Sequence, residues 1–137
     1  MKPFAILALA VAAASCTATD EGPPTEMSAA TQGELSAALR DYQPAGPPLA
    51  CVAQRDLRGN RSAGDAIIFD GRNRGVIYVN RPAGGCPDLN FNRTLITRTF
   101  ATRLCRGDIA QVADLTSGIT YGGCGLGDFV PYRRVGR

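Results

Sequence analysis

Five cysteines, fourteen arginines, one lysine and no histidine bound the chemistry open to this 137-residue chain. Without an imidazole there is no Ser-His-Asp or Cys-His constellation and no histidine-ligated metal. The lone lysine is Lys2, so a Ser-Lys pair cannot form in the body of the chain. Cys16 stands alone; Cys51, Cys86, Cys105 and Cys124 follow with 34, 18 and 18 residues between them. Zinc-binding cysteines come in close CxxC pairs, and none is present. Four widely spaced cysteines in a small exported domain point instead to two disulfides, which leaves no free thiol nucleophile among them. Residues 51–137 hold seven aspartates and no glutamate. Asp65, Asp70 and Asp108 sit where turns favour Asp, and are read as turn residues rather than as a general acid/base pair. The run GGCGLG at 122–127 is not GxGxxG, because Asp128 occupies the last glycine position, and it lacks the Gly-Lys-Ser/Thr of a Walker loop. Arg106-Gly107-Asp108 reads as a tight turn. Tyr78, Tyr121 and Tyr132, each near arginine, either line a ligand groove or sit half-buried in a sheet with a wet hydroxyl; the second is favoured. No catalytic, cofactor-binding or metal-ligating residue is expected, and no cofactor.

The isolated Cys16 closes an apolar run, MKPFAILALAVAAASC. Lys2 supplies a positive start, and residues 4–14 have the length of a secretion signal. They fall short of the roughly 20 residues a spanning helix needs. The border AASC at 13–16 resembles a bacterial lipobox, in which the peptide is cut before the cysteine and the thiol accepts diacylglycerol. Residues 1–15 are therefore read as a lipoprotein signal peptide and Cys16 as the lipidation site. Thr17, rather than Asp, at the next position resembles outer-membrane sorting, with the protein facing the periplasm. Cleavage after Ala12-Ala13-Ala14, leaving a soluble periplasmic or secreted protein, is the alternative. Residues 16–50 are read as a tether with a short helix: Thr31 and Glu34 have capping-box spacing, and Leu35, Ala38 and Leu39 form an apolar stripe ended by PAGPP at 44–48.

Charge divides the chain. Residues 17–50 carry one arginine against five carboxylates, whereas residues 51–137 carry thirteen arginines, no lysine and seven aspartates. Guanidinium groups pair bidentately with carboxylate or phosphate in a way an ammonium does not. The partners this admits are the membrane, through the N-terminal lipid, an anionic envelope component or another envelope protein. Export argues against nucleic acid. The alternative is that the arginines are simply solvated.

Residues 51–137 are read as one domain, too small to hold itself securely without staples. Turn residues punctuate short apolar runs, the mark of an all-β domain. Expected strands are 51–57, 66–70, 76–80, 97–105, 109–115 and 128–132, with loops at 59–65, 81–92 and 116–127. The hairpin AIIFD-GRNRG-VIYVN is the clearest element, with Gly71 and Gly75 placed for left-handed backbone. Pro131 predicts that the last strand lies at an edge or carries a bulge. About six strands with short connections suggest a small meander or barrel-like domain. If strands alternate in direction, Cys51 and Cys105 fall at one end and Cys86 and Cys124 at the other, which predicts Cys51–Cys105 and Cys86–Cys124.

The segments RLCRGDIAQV and CGLGDFVPY resemble a family of small proteobacterial lipoproteins with no assigned activity. The shared features are a starting strand at Cys51, Cys86-Pro87 in the long connection, Leu104-Cys105 with Asp108, and the CGLGxFxP stretch from Cys124 to Pro131. The likeness covers about residues 51–133 and implies export and a shared small domain. The reading is thus a non-enzymatic envelope lipoprotein that binds or supports. Its rivals are an inhibitor of a lysozyme-like envelope-directed enzyme, with a loop at 81–92 or 116–127 entering the cleft, and an Asp/Arg-dependent enzyme.

Overall fold

A computed structural model describes residues 29–86, 88, 89, 93–99 and 101–136. The expected signal peptide, Cys16 and the tether up to residue 28 lie outside the described residues. Among those described, one helix and ten strands in three antiparallel sheets form the fold. The elements are α1 (Ala29–Leu39), β1 (Tyr42–Pro44), β2 (Cys51–Ala53), a 3-10 turn (Gln54–Asp56), β3 (Leu57–Ala63), β4 (Ala66–Gly71), β5 (Val76–Asn80), β6 (Thr94–Thr97), β7 (Arg103–Cys105), β8 (Ile109–Ala113), β9 (Thr120–Gly125) and β10 (Phe129–Arg134). An all-β domain stapled by Cys51–Cys105 and Cys86–Cys124 agrees with the expectation from sequence.

The strand count and layout differ from a six-strand meander. The main sheet has the order β1-β10-β5-β4-β3, so the last strand inserts between the first and fifth; β2 pairs with β7 alone, and β6-β8-β9 form a third sheet. Residues 59–65, expected as a loop, largely belong to β3, which pairs from Leu57↔Gly71 to Ala63↔Ala66. Its sequence LRGNRSA is polar because β3 is an edge strand. It needs ladder bonds on one side only, and charge on an exposed edge guards against further pairing. Residues 29–50 are not a free tether either. In α1, Leu35 is buried with Ala63, Ala66, Ile68, Ile77 and Val79, and β1 runs antiparallel to β10 from Tyr42↔Arg134 to Pro44↔Tyr132. Thr31 lies inside α1, and Glu34 accepts a hydrogen bond from Gly64 N at 2.8 Å rather than closing a capping box. Gly64 is held at φ +62 with Thr31 pressed against it, so a Cβ there would strike the helix.

The centre of the main sheet, β4 and β5, is buried on both faces. On β4, Ile68 faces the α1 side while Ile67 and Phe69 face the other layer, the alternation a two-sided strand requires. There Phe129, Val52, Leu104, Leu95, Val112 and Leu126 complete the larger core, with the Cys86–Cys124 disulfide inside it. The β4–β5 hairpin has the expected strands, but only Gly75 takes positive φ (+80). Gly71 is a strand residue whose Cβ would meet the Val76 carbonyl at 2.7 Å. Pro131 sits in a strand with neighbours on both sides, not at an edge. Phe129 exchanges both backbone bonds with Leu49, and Ala45 N donates to Pro131 O. Continuing the register from Pro44↔Tyr132, Ala45 lies opposite Pro131, so the missing N–H of Pro131 falls where β1 ends, and the pair keeps only the bond from Ala45 N.

Cys51 and Cys105 are direct partners across β2 and β7, with Cα atoms 4.0 Å apart. They meet as facing residues of one ladder rather than at one end of a meander. Cys86 fastens the irregular stretch after β5 to Cys124 in β9.

Loop 114–119, which joins β8 to β9, is pre-organised by Asp114. Its carboxylate accepts hydrogen bonds from Thr116 N (2.7 Å) and Ser117 N (3.3 Å), and its main chain exchanges bonds with Gly118 and Ile119. The backbone bond from Thr116, then that from Ser117, hold the Asp114 carboxyl below its ordinary value of 3.8. A folded-state pKa below the unfolded one means that the stabilisation exists above the ordinary value and is lost as pH falls through the folded one. The tip is therefore expected to loosen in acid below about pH 4, with Asp114→Asn insensitive to that change; amide exchange at Thr116 and Ser117 across a pH series checks it.

Candidate functional site

The turn between β4 and β5, GRNRG at 71–75, carries Arg72 and Arg74. Strand pairing then delivers arginines from distant parts of the chain to the same end of the sheet. Arg133 is registered against Val76, and Arg134 N donates to Gly75 O. Tyr42 opposite Arg134 brings β1 and the preceding Arg40 and Asp41, the latter accepting from Val135 N. Arg72 ties down the 3-10 turn twice, through N to Asp56 O and through Nε to Arg55 O, both at 2.7 Å. Leu57 opposite Gly71 places Arg58 alongside. Seven arginines thus converge among the described residues: Arg40, Arg55, Arg58, Arg72, Arg74, Arg133 and Arg134.

Only two carboxylates accompany them. Asp41 and Asp56 reach only their sequence neighbours Arg40 and Arg55, at 3.9 and 4.0 Å, on exposed side chains. Such contacts contribute little. Asp70, the next carboxylate, is engaged by Arg61. Elsewhere Arg93 pairs with Asp88 (3.5 Å) and Arg106 with Asp128 (3.0 Å), while Arg81, Arg98 and Arg103 stand scattered without an ion pair among the described residues. Arg58, Arg74 and Arg133 have no ion pair among the described residues. Like charges about 8 Å apart repel by roughly 0.5 kcal/mol per pair in water, so collecting them at one end opposes folding slightly. A surface arranged only for solubility would intersperse the signs.

Beside this end lies an open groove of about 730 Å³. It forms because the chain leaves β10 after Leu49 and crosses over the sheet face as β2 and the 3-10 turn. Leu49, Val52 and Tyr78 give it an apolar floor; Arg55, Asp56, Thr102 and Arg103 form the rim. Gln54 Nε2 donates to Thr99 Oγ1 at 3.3 Å and braces one wall.

The structure separates the three tyrosines singled out in the sequence. Tyr78 lines the groove. Tyr121 lies under the Arg93 guanidinium, 3.5 Å from ring centroid to Cζ, in the third sheet. Tyr132 packs on the α1-side core. They do not share a site. Asp65 lies in the β3–β4 turn, and Asp108 accepts from Cys105 N at 2.8 Å, closing the turn through Gly107 at φ +88. In contrast, Asp70 is a strand residue whose partner is Arg61, not a turn residue. The glycines of GGCGLG are structural: a Cβ on Gly123 would meet the Ala110 carbonyl at 2.8 Å, and one on Gly127 would strike the carbonyl of Arg81. Among the described residues no three His, Cys, Asp or Glu side chains cluster as metal ligands would. Disulfides Cys51–Cys105 and Cys86–Cys124 are in place, and Cys16 lies outside the described residues.

No family model, curated protein or solved structure matches the chain.

Proposed function

We propose that the protein is a non-enzymatic lipoprotein of the bacterial envelope, lipidated at Cys16 and held on the outer membrane facing the periplasm. Its arginine-rich end takes an anionic envelope component. The observation that carries this is the gathering of seven arginines from separate segments without matching carboxylates. The apolar N-terminal run ending in AASC, and the two disulfides, support export. Each arginine near an anionic surface contributes roughly 1 kcal/mol. Replacing Arg58, Arg74 and Arg133 together by serine is therefore expected to weaken binding about 100-fold, without lowering thermal stability. Co-sedimentation with phosphatidylglycerol vesicles and with isolated cell-wall sacculi measures it. Binding to neither, or binding unaltered by the three substitutions, defeats the reading.

One observation favours inhibition of a lysozyme-like enzyme as a second reading. The Asp114-braced loop presents Leu115 and Ile119 to solvent, 71% and 51% exposed. A rigid apolar tip loses little entropy on entering a cleft. A lysozyme assay with and without the protein decides it.

A further inference from the structure

The backbone of β2 has one used edge and one open edge. Arg106 N donates to Ala50 O, and Gln54 N donates to Thr102 O. With Cys51↔Cys105 and Ala53↔Arg103 in register between them, Val52 is the residue that exchanges bonds with Leu104. The main-chain groups of Cys51 and Ala53 therefore point away from β7. The Ala53 carbonyl opens the 3-10 turn that follows. The N–H and C=O of Cys51 and the N–H of Ala53 have no hydrogen-bond partner among the described residues. Both residues line the 730 Å³ groove. Residues two apart on a strand place such groups about 7 Å apart, which is the repeat of an extended chain.

We propose that this groove binds an extended acidic peptide segment of a partner protein, which adds to β2 as a third strand. The N–H and C=O of Cys51 pair with one peptide residue, and the N–H of Ala53 pairs with the residue two along. Leu49 and Tyr78 receive the apolar side chains that point to the floor. Arg55 and Arg103 on the rim face the carboxylates that point outward, and Asp56 is the one acidic side chain in the groove lining. Strand addition of this kind draws affinity from the backbone and specificity from the alternating side chains. The groove shares Arg55 with the exposed arginine end, but it needs backbone geometry, whereas that end needs charge alone.

Ala53 supplies a clean test. Its φ of −70° and ψ of 131° already suit proline. Its N–H serves the open edge and not the β2–β7 ladder, so Ala53→Pro removes one groove donor and spares the fold. The probe is a fluorescein-labelled hexapeptide of alternating valine and glutamate, titrated into the purified full chain in detergent and followed by anisotropy. Saturable binding is expected, weakened about ten-fold by Ala53→Pro at unchanged thermal stability. N-methylating alternate peptide residues gives two isomers, of which one is expected to lose binding and the other to keep it, since only one edge of the peptide meets β2. This arm holds even if the proline variant fails to fold. The lysine-for-glutamate peptide is expected to bind at least ten-fold more weakly. Any of the following overturns the proposal: no binding at millimolar peptide, equal binding of both N-methylated isomers and the parent, or full binding by a folded Ala53→Pro variant. Release of a dimer by Ala53→Pro, with no peptide bound, would assign the edge to a second copy and overturn it too. Vesicle binding lost in the Arg58, Arg74, Arg133 variant while peptide binding persists separates the two sites.

Discussion

Removal of the Cys86–Cys124 disulfide, by replacing both residues with alanine, is expected to destabilise the domain by about 4 kcal/mol and to lower its melting temperature by about 20 °C. The bridge closes a loop of 38 residues. In the chain-entropy treatment that closure alone accounts for about 4 kcal/mol. Both sulfurs also belong to the larger core, packed with Leu89, Leu95 and Val112, so truncation leaves unfilled space. The Cys51–Cys105 bridge spans 54 residues, but joins residues already opposed in a ladder. Small domains are stable by about 5 to 15 kcal/mol. Either loss alone should be survivable, and reduction of both should unfold the protein near room temperature. Thermal unfolding with and without reductant measures this, and a melting temperature indifferent to reductant would refute it.

The second large effect centres on Asn80. It is 0% exposed at the end of β5, and its amide pairs twice with one residue: Nδ2 donates to Gly127 O at 2.7 Å, and Oδ1 accepts from Gly127 N at 2.9 Å. The side chain acts as a short piece of strand that fixes the segment between Cys124 and β10. Asn80→Leu keeps the volume but leaves the Gly127 N–H and C=O unpaired, at a cost of about 3 kcal/mol. Asn80→Asp keeps the acceptor, loses the donor and places a charge in an apolar site. Burial raises the pKa of such a carboxyl above its unfolded value. The penalty of the introduced carboxylate is therefore largest at neutral pH and shrinks as pH falls and the group protonates. Urea unfolding at pH 7 and pH 4 tests both variants; an Asn80→Leu midpoint equal to wild type would show the pairing to be dispensable.

These sites are unequally legible in the sequence. The hairpin from Ala66 to Asn80 is plain, because AIIF and VIYV are β-branched and aromatic and GRNRG contains the needed turn glycine. Both disulfide pairs agree with the sequence reading, although the route through a six-strand meander does not match the observed topology. β3 is obscure because an edge strand takes its conformation from its neighbour, here AIIFDG, and LRGNRSA carries little β signal of its own. Asn80 reads only as the last residue of the strand VIYVN, and only the fold reveals Gly127 opposite it. The excess of arginine is visible in composition, but its concentration is not: the seven residues lie between positions 40 and 134, and only strand register brings them together. The groove has no sequence signal beyond Tyr78, since its distinguishing groups are main-chain atoms of Cys51 and Ala53.

The course of α1 has a mechanical consequence. Its first half meets the β3–β4 turn, where Thr31 and Glu34 contact Gly64, and just past its end Asp41 O accepts from Val135 N, near the β4–β5 turn. Eleven helical residues carry the chain about 16 Å from one pole of the sheet to the other. A load applied at Ala29 and resisted at Arg74 or Arg133 would pull parallel to the strands. Ladder bonds loaded in that direction share the strain and yield together, so the domain is built to resist stretching between its two poles better than peeling from an edge.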